Sequence, residues 1–399
     1  MNNKNYILID NSEDFENLLP LTFTRPISEL RIGILTIKEK WEKFLNSSLS
    51  FCTSEYLQKK YPINIGTKNI FINSTILPEK ILIEEIENLK ENEILKFNDI
   101  IIAANSGSAL IKSLTNSECI NFKQINSKII KIKKINFPWD LFLLNKEEIN
   151  SDFELLTINK TSEKLSKTNT IIGDGKIFLE EGAKCEASVL NTTGGPIYIG
   201  KNAEVMEGSL IRGPFALCHD SAIKMGAKIY GPTTIGPYSK AGGEINNSII
   251  FGYSNKAHDG FIGQSIIGEW CNLGADTNAS NLKNTYGSVK IWNYRKKSFI
   301  NTGLQFCGLI MGDHSKCGIN TMFNTGTVVG ISANIFGAGY PRNYIPSFSW
   351  GGSTGFSLYK FEKAIENIQE MMKRRNKSLT DIDIEILQYI YNNTEEYKK

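Results

Sequence analysis

No run in this 399-residue chain approaches the roughly 18 consecutive apolar residues of a membrane span. The opening Met1-Asn2-Asn3-Lys4-Asn5 leads into a short strand rather than the apolar stretch of a signal peptide. Both absences predict a cytoplasmic protein with no membrane partner. Charge of one sign is also missing: 45 Lys and Arg against 42 Asp and Glu leave a formal net charge of +3, too weak a field to draw nucleic acid. The seven cysteines include no C-x-x-C, which argues against a disulfide framework or a thiolate zinc site. Cys185, Cys271, Cys307 and Cys317 therefore read as small buried residues. Histidine is scarce: His219, His258 and His314 lack the H-x-x-x-x-H spacing that brings two ligands together, and no metal ligand set is predicted.

What is present is a period of six. From Ile199 an aliphatic or small residue returns at Val205, Ile211, Leu217, Ile223, Ile229, Ile235 and Ala241. This fits neither a helix at 3.6 nor a lone strand at 2, but suits short strands stacked in coils. Small side chains four residues later, at Ala203, Ser209, Ser221, Ala227, Thr233 and Ser239, suit tight corners. The same spacing is read at Ile171, Ile177, Ala183 and Val189, at Ile267 and Leu273, and from Met311 through Cys317, Phe323 and Val329 to Ile335. Residues 171–337 are predicted to form one parallel β-helix. Breaks at 191–196 and 280–303, the latter carrying Trp292, Tyr294, Arg295, Lys296 and Lys297, read as loops leaving the scaffold, where binding groups tend to sit.

Residues 1–150 alternate strand-like runs (Tyr6–Ile9, Asn69–Ile72, Ile100–Ala103) with helical stretches such as 37–45, the pattern of an α/β domain. Residues 151–170, rich in Ser, Thr, Lys and Asn, read as a linker. Residues 338–399 read as an irregular stretch followed by helices over 358–375 and 381–392. The second has Thr380 as N-cap and Ile382, Ile386, Leu387 and Ile390 as its apolar stripe.

Three motifs carry a resemblance. Ser254-Asn255-Lys256-Ala257-His258-Asp259-Gly260-Phe261-Ile262-Gly263, followed by the segment from Ile267 to Thr277, resembles without a gap the acetyltransferase centre of the bifunctional N-acetylglucosamine-1-phosphate uridyltransferase/glucosamine-1-phosphate N-acetyltransferase family. Leu18-Leu19-Pro20-Leu21-Thr22-Phe23-Thr24-Arg25-Pro26 is similar to the opening of a variant bacterial branch of that family, and Pro138-Trp139-Asp140-Leu141 to a stretch of archaeal nucleotidyltransferases. The resemblance implies an α/β nucleotidyltransferase-like domain, then a left-handed hexapeptide β-helix, in a homotrimer with sites between subunits. It implies His258 as catalytic base, Glu244 as the carboxylate that orients it, and Asn272 and Asn281 on the sugar phosphate and reacting groups. Ala275 would meet acetyl-CoA through its backbone, and Lys290 matches a lysine of the archaeal proteins. Lys256 and Phe261 flank the histidine and join the sugar-phosphate and acetyl-CoA set; Arg342 joins it by its place in the loop after the coil. Leu19, Thr22, Arg25 and Asn73 form the implied nucleotide set for UTP or dTTP, with Mg²⁺ at the first domain.

The departures are specific. Phe261 stands where the family has an aromatic hydroxyl, Asn246 where a lysine is expected, and Leu282 where tyrosine is common. The Gly-rich loop that lets backbone N–H groups approach phosphates is replaced by residues 10–17, Ile27 replaces a lysine, and Asn73-Ser74 stands near the expected metal-binding aspartate.

Acetyl transfer to an amine needs a base near pH 7 and fixed donors for the oxyanion, which histidine, asparagine amides and backbone N–H groups supply. Three other readings compete with this one. They are a nucleotidyltransferase of other specificity, such as thymidylyl transfer, with a structural or regulatory coil; a coil that binds metal through His219, His258 and His314 across subunits; and a silent scaffold.

Overall fold

The computed structural model describes residues 4–114 and 119–394. The chain divides into two compact units, Met1–Leu18 with Thr24–Leu30 and Leu35–Phe137, and Leu19–Phe23 with Arg31–Ile34 and Pro138–Lys399.

The first unit is built on a mixed six-stranded sheet. In spatial order its strands are Leu49–Cys52, Asn5–Ile9, Asn69–Asn73, Ile100–Gly107, Glu93–Phe97 and Lys123–Asn126. The first three run parallel, and Ile100–Gly107 is antiparallel to both its neighbours. Aliphatic runs make the inner strands, where both faces are covered, while the edge strand Lys123–Asn126 is largely exposed; Ile7, Ile9, Phe71 and Ile94 form one buried cluster. Helix Ile37–Leu45 starts where Thr36 and Glu39 exchange capping bonds, the Thr36 hydroxyl accepting from the Glu39 N–H and the Glu39 carboxylate from the Thr36 N–H.

The second unit is a parallel β-solenoid of hexapeptide type. Successive coils lay short strands on three sheets, of nine, ten and eight strands. The eight residues from Ile199 to Ala241 at period six all point inward and are 0–2% exposed. The small residues four positions later are buried at corners, where the Ser209 and Thr233 hydroxyls donate to the carbonyls of Met206 and Tyr230, at 2.8 and 2.7 Å. Cys185, Cys271, Cys307 and Cys317 are buried thiols, as expected.

Four expectations need correction. At the start of the solenoid the inward column runs through Leu179, Cys185 and Leu190, not Ile177, Ala183 and Val189. A five-residue step from Cys185 to Leu190 breaks the period there, and Ile171, though in register with Leu190, is exposed at the open end. The solenoid also passes residue 337, because Tyr344–Ile345 and Ser349–Gly352 extend two of its sheets. The boundary expected at residue 150 falls inside helix Pro138–Thr157, and the linker expected at 151–170 begins within it. This helix belongs to the solenoid unit because its polar side chains hold a return of the chain: Asn145 Oδ1 accepts from the Gly33 N–H at 2.8 Å and Asp152 Oδ2 from the Ile34 N–H at 2.7 Å. Its Phe153 meets Phe178 edge-on, 6.4 Å between centroids. The terminal helices are Phe361–Lys373 and Asp381–Asn393; Thr380 caps the second, which buries Ile386, Leu387 and Ile390.

Candidate functional site

His258 sits on the corner between strands Asn255–Lys256 of the ten-stranded sheet and Phe261–Gly263 of the eight-stranded one. It is exposed, and among the described residues its ring has no hydrogen-bond or ionic partner. The corner opens on a cleft of about 1490 Å³ between the outer face of the ten-stranded sheet and helix Phe361–Lys373, and Asn272 and Ala275 line the same cleft. Asn272 stands on that face beside Asn255 and Lys316.

Lys240, Lys316, Arg374 and Arg375, which the sequence reading did not single out, also line it. The cleft's two carboxylates are turned to other cations, Glu366 to Lys363 at 2.8 Å and Glu370 to Lys373. Among the described residues no carboxylate pairs with Lys240, Arg374 or Arg375; Arg375 donates to Asn255 Oδ1 at 3.2 Å. Burial and the positive charges of Arg375, Lys224 and Arg374 lower the Lys240 pKa, so this end of the cleft holds uncompensated positive charge. Burial pushes Lys316 down to about 8. Beside these cations Tyr238, Tyr253 and Trp270 stack at successive corners, with centroids 4.7 and 4.1 Å apart and planes within 9° and 6°. All three occupy the left-handed backbone region at φ 58–59°, which repeats at the same corner of each coil and builds the column. Spacing of the tyrosines alone does not reveal a stack, because the coils here differ in length.

Other members of the expected set fall in different places. Lys256 is 1% exposed and turns into the solenoid, where its ammonium donates to the carbonyls of Gly242, His258 and Asp259. The expectation that it contacts substrate is thereby corrected, since an ammonium has three donors and all are engaged. Glu244 lies one coil below the histidine corner, paired with Phe261, and its N–H donates to the Gly260 carbonyl at 3.0 Å. Its carboxylate makes no bond to His258 within the chain. Asn281 and Phe261 do come together: a Cβ built on Gly263 would lie 2.5 Å from Asn281 Nδ2 and 2.7 Å from Phe261 Cζ, so both lean over that glycine. The Asn281 amide donates to Gln264 Oε1. Lys290, on hairpin Lys290–Asn293/Ser298–Asn301, and Arg342 line a second cleft of about 650 Å³ together with Lys283.

The implied nucleotide set is buried. Leu19 and Thr22 belong to the solenoid unit, where Thr22 is 0% exposed and Phe23 meets Tyr294 edge-on at 5.3 Å. Arg25, in the first unit, is 6% exposed. Asn73 is 2% exposed; its amide donates to the Ile101 carbonyl, and its oxygen accepts from the Thr75 N–H and hydroxyl, closing a turn. All four are buried in this conformation, and the Asn73 side chain is engaged in its own turn. Among the described residues no three His, Cys, Asp or Glu side chains gather to hold a metal ion; Mg²⁺ held by one or two carboxylates and the phosphates of a nucleotide needs no such group.

Asp10 is a group the sequence reading passed over, as part of the segment replacing the glycine loop. It ends the strand that pairs in parallel on both sides, the crevice where ligands enter open α/β sheets. Its Oδ2 accepts from Thr53 Oγ1 at 2.6 Å and the Ile27 N–H at 3.2 Å, yet burial pushes its pKa up to about 6. A carboxyl raised on folding contributes stability that is fully present below about pH 4 and lost as pH rises through about 6. The shift of about two units corresponds to about 3 kcal/mol at neutral pH. Asp10→Asn should therefore stabilise the first unit by about 1–3 kcal/mol at pH 7.5 and by far less at pH 4.5. Thermal melts at both pH values check this; an equal gain at the two would assign the effect elsewhere.

Residues 6–161 match the sugar nucleotidyl transferase family. Across the chain, a protein of Methanocaldococcus jannaschii named "Bifunctional protein GlmU" is 28% identical over 313 residues, which cover 75% of this chain and 68% of that protein. A protein of the same name from Methanococcus maripaludis is 29% identical over 69% of this chain and 62% of its own length. A "Bifunctional sugar-1-phosphate nucleotidylyltransferase/acetyltransferase" of Sulfurisphaera tokodaii is 28% identical over 36% of this chain and 35% of its own length. The aligned regions thus span about two thirds of the first two relatives and about a third of the last. No helix among the described residues is long and apolar enough to cross a membrane. The chain is a transferase in which residues 6–161 match the sugar nucleotidyl transferase family and are followed by a hexapeptide-type β-solenoid.

Proposed function

We propose that the solenoid transfers an acetyl group from acetyl-CoA to the amine of glucosamine-1-phosphate, and that the first domain transfers a uridylyl group from UTP to the resulting sugar phosphate. The observation that carries the first half is His258: an exposed imidazole, without a partner among the described residues, on a cleft that is also lined by uncompensated cations.

The neutral imidazole accepts a proton from the sugar ammonium, and the freed amine attacks the thioester carbonyl. The C–N bond forms, the oxyanion is met by amide or backbone donors around Asn272, Asn281 and Ala275, and the C–S bond breaks as a second proton from the nitrogen passes to the leaving sulfur, giving the amide and the CoA thiol with one proton left on the imidazole. Lys240, Arg374 and Arg375 suit the cofactor's phosphates, and the face beside Tyr253 and Trp270 suits its purine. Glu244 steadies His258 once substrate draws both toward the amine. Phe261 offers the sugar an apolar edge with no hydroxyl. Lys290 and Arg342, in their own cleft, suit an anionic group on a substrate shared with a neighbouring copy.

The reading includes a homotrimer. On the same run of corners as His258, Met225 is 70% exposed and Ile319 71%, apolar surface that a second copy would cover. It also implies a cytoplasmic protein, where acetyl-CoA and UTP are available and the seven thiols stay reduced.

The test is purified protein with acetyl-CoA and glucosamine-1-phosphate, following free thiol, with UTP and dTTP, each with Mg²⁺, in separate vessels for pyrophosphate and light scattering for mass. CoA release by a particle of three chains is the expected result; no release from a folded trimer overturns the acetyl half. Pyrophosphate from dTTP but not UTP would favour the second reading, a nucleotidyltransferase of other specificity.

A further inference from the structure

The interior of the solenoid is apolar at almost every inward position, and Lys256 is an exception. It stands directly above Ala241 in the ten-stranded sheet, and the pairing of Asn255 with Asn272 sets it below Leu273. Ala241 and Leu273 are both core residues. An aliphatic side chain would fill this place without desolvating a charge, which costs several kcal/mol on the general scale for buried ions.

The reason for a lysine lies in the corner beneath. Corners between these two sheets take four residues at 224–227, 257–260 and 274–277, but only Gly242 and Gly243 between Ala241 and Glu244. The short corner passes very close under the His258 corner. A Cβ on Gly242 would come 2.5 Å from the Ala257 carbonyl oxygen, and one on Gly243, at φ +70°, 2.6 Å from that of Gly260. No side chain fits between the two corners from outside. The Lys256 ammonium reaches them from inside and accepts this geometry, with Nζ 3.2 Å from the Gly242 oxygen, 2.9 Å from that of Asp259, and bonded to that of His258.

We propose that Lys256 is a positioning residue: by tying the carbonyls of His258 and Asp259 to that of Gly242, its ammonium fixes the corner that presents the His258 imidazole. The role rests on the acetyl-transfer reading only for its kinetic consequence; the clamp itself is independent of it. It differs from substrate contact because the ammonium has no donor left to offer.

Lys256→Met, similar in length and apolar, and Lys256→Gln, which keeps a neutral donor, are compared with wild type after circular dichroism and light scattering. The protein has three histidines, so the His258 C2 proton can be assigned with His258→Ala. In Lys256→Met we expect kcat for CoA release to fall at least tenfold with the acetyl-CoA KM within twofold, the His258 resonance to broaden or shift, and Lys256→Gln to recover part of both. A folded Lys256→Met with kcat within twofold and an unchanged His258 resonance overturns the proposal. An unchanged kcat with KM raised tenfold also overturns it, in favour of direct substrate contact. If Lys256→Met does not fold, Lys256→Gln is judged by the same criteria. If wild type releases no CoA, the acetyl-transfer reading fails, while an unmoved His258 resonance remains the result that overturns the clamp.

Discussion

His258→Ala is expected to lower kcat for CoA release by roughly 10²–10⁴-fold, the range a positioned general base supplies. Its ring is exposed and has no partner among the described residues, so the melting temperature should stay within a degree or two of wild type. This separation of effects is what distinguishes a base from a corner residue. A structural histidine would lose stability and leave the residual rate high. Raising pH should restore part of the rate in the variant, because more of the sugar amine is then free without a base to deprotonate it. A variant that keeps kcat within threefold of wild type would remove His258 from the reaction and leave the solenoid as a scaffold.

The double variant Arg374→Ala/Arg375→Ala is expected to raise KM for acetyl-CoA by roughly 10–100-fold, with kcat at saturation and KM for the sugar phosphate little changed. Each guanidinium can make charge-assisted bonds to phosphate, and each tenfold change corresponds to about 1.4 kcal/mol, a modest demand on two partly solvated cations. Stability should not suffer. The variant loses the bond from Arg375 to Asn255, but it also relieves the repulsion that helps depress Lys240. Comparing acetyl-CoA with a short acetyl thioester that carries no phosphate sharpens the test. The two substrates should differ strongly with wild type and weakly with the variant, and an unchanged ratio would place the cofactor's phosphates elsewhere.

The two halves of the molecule differ in how openly their sequence states their use. In the solenoid, the residues around His258 lie close together in sequence, and His258, Asn272 and Ala275 line one cleft. Arg374 and Arg375 escaped notice because their neighbour across the cleft, Lys240, is more than a hundred residues away, and only the packing of helix Phe361–Lys373 brings them together. Lys256 was misread for a related reason. Its position next to the histidine suggested contact with substrate, but the two-residue corner at Gly242–Gly243 turns its side chain inward. In the first part of the chain, the motif from Leu18 to Pro26 is legible as a family mark, yet Leu19–Phe23 packs within the solenoid unit and Asn73 closes a turn.

The sequence by itself determined the solenoid, because an inward residue every six positions, with a small residue at most corners, is a local rule, and the inward period is unbroken over its eight positions from Ile199 to Ala241. It determined the mixed α/β character of the first domain and both terminal helices for the same reason, since periodicity and caps act within a few residues. Tertiary structure alone decided which charges stay uncompensated, which lysine turns inward and which motif residues are buried. Those outcomes depend on the solvation of a group by neighbours far away in the chain, and neither periodicity nor spacing encodes that.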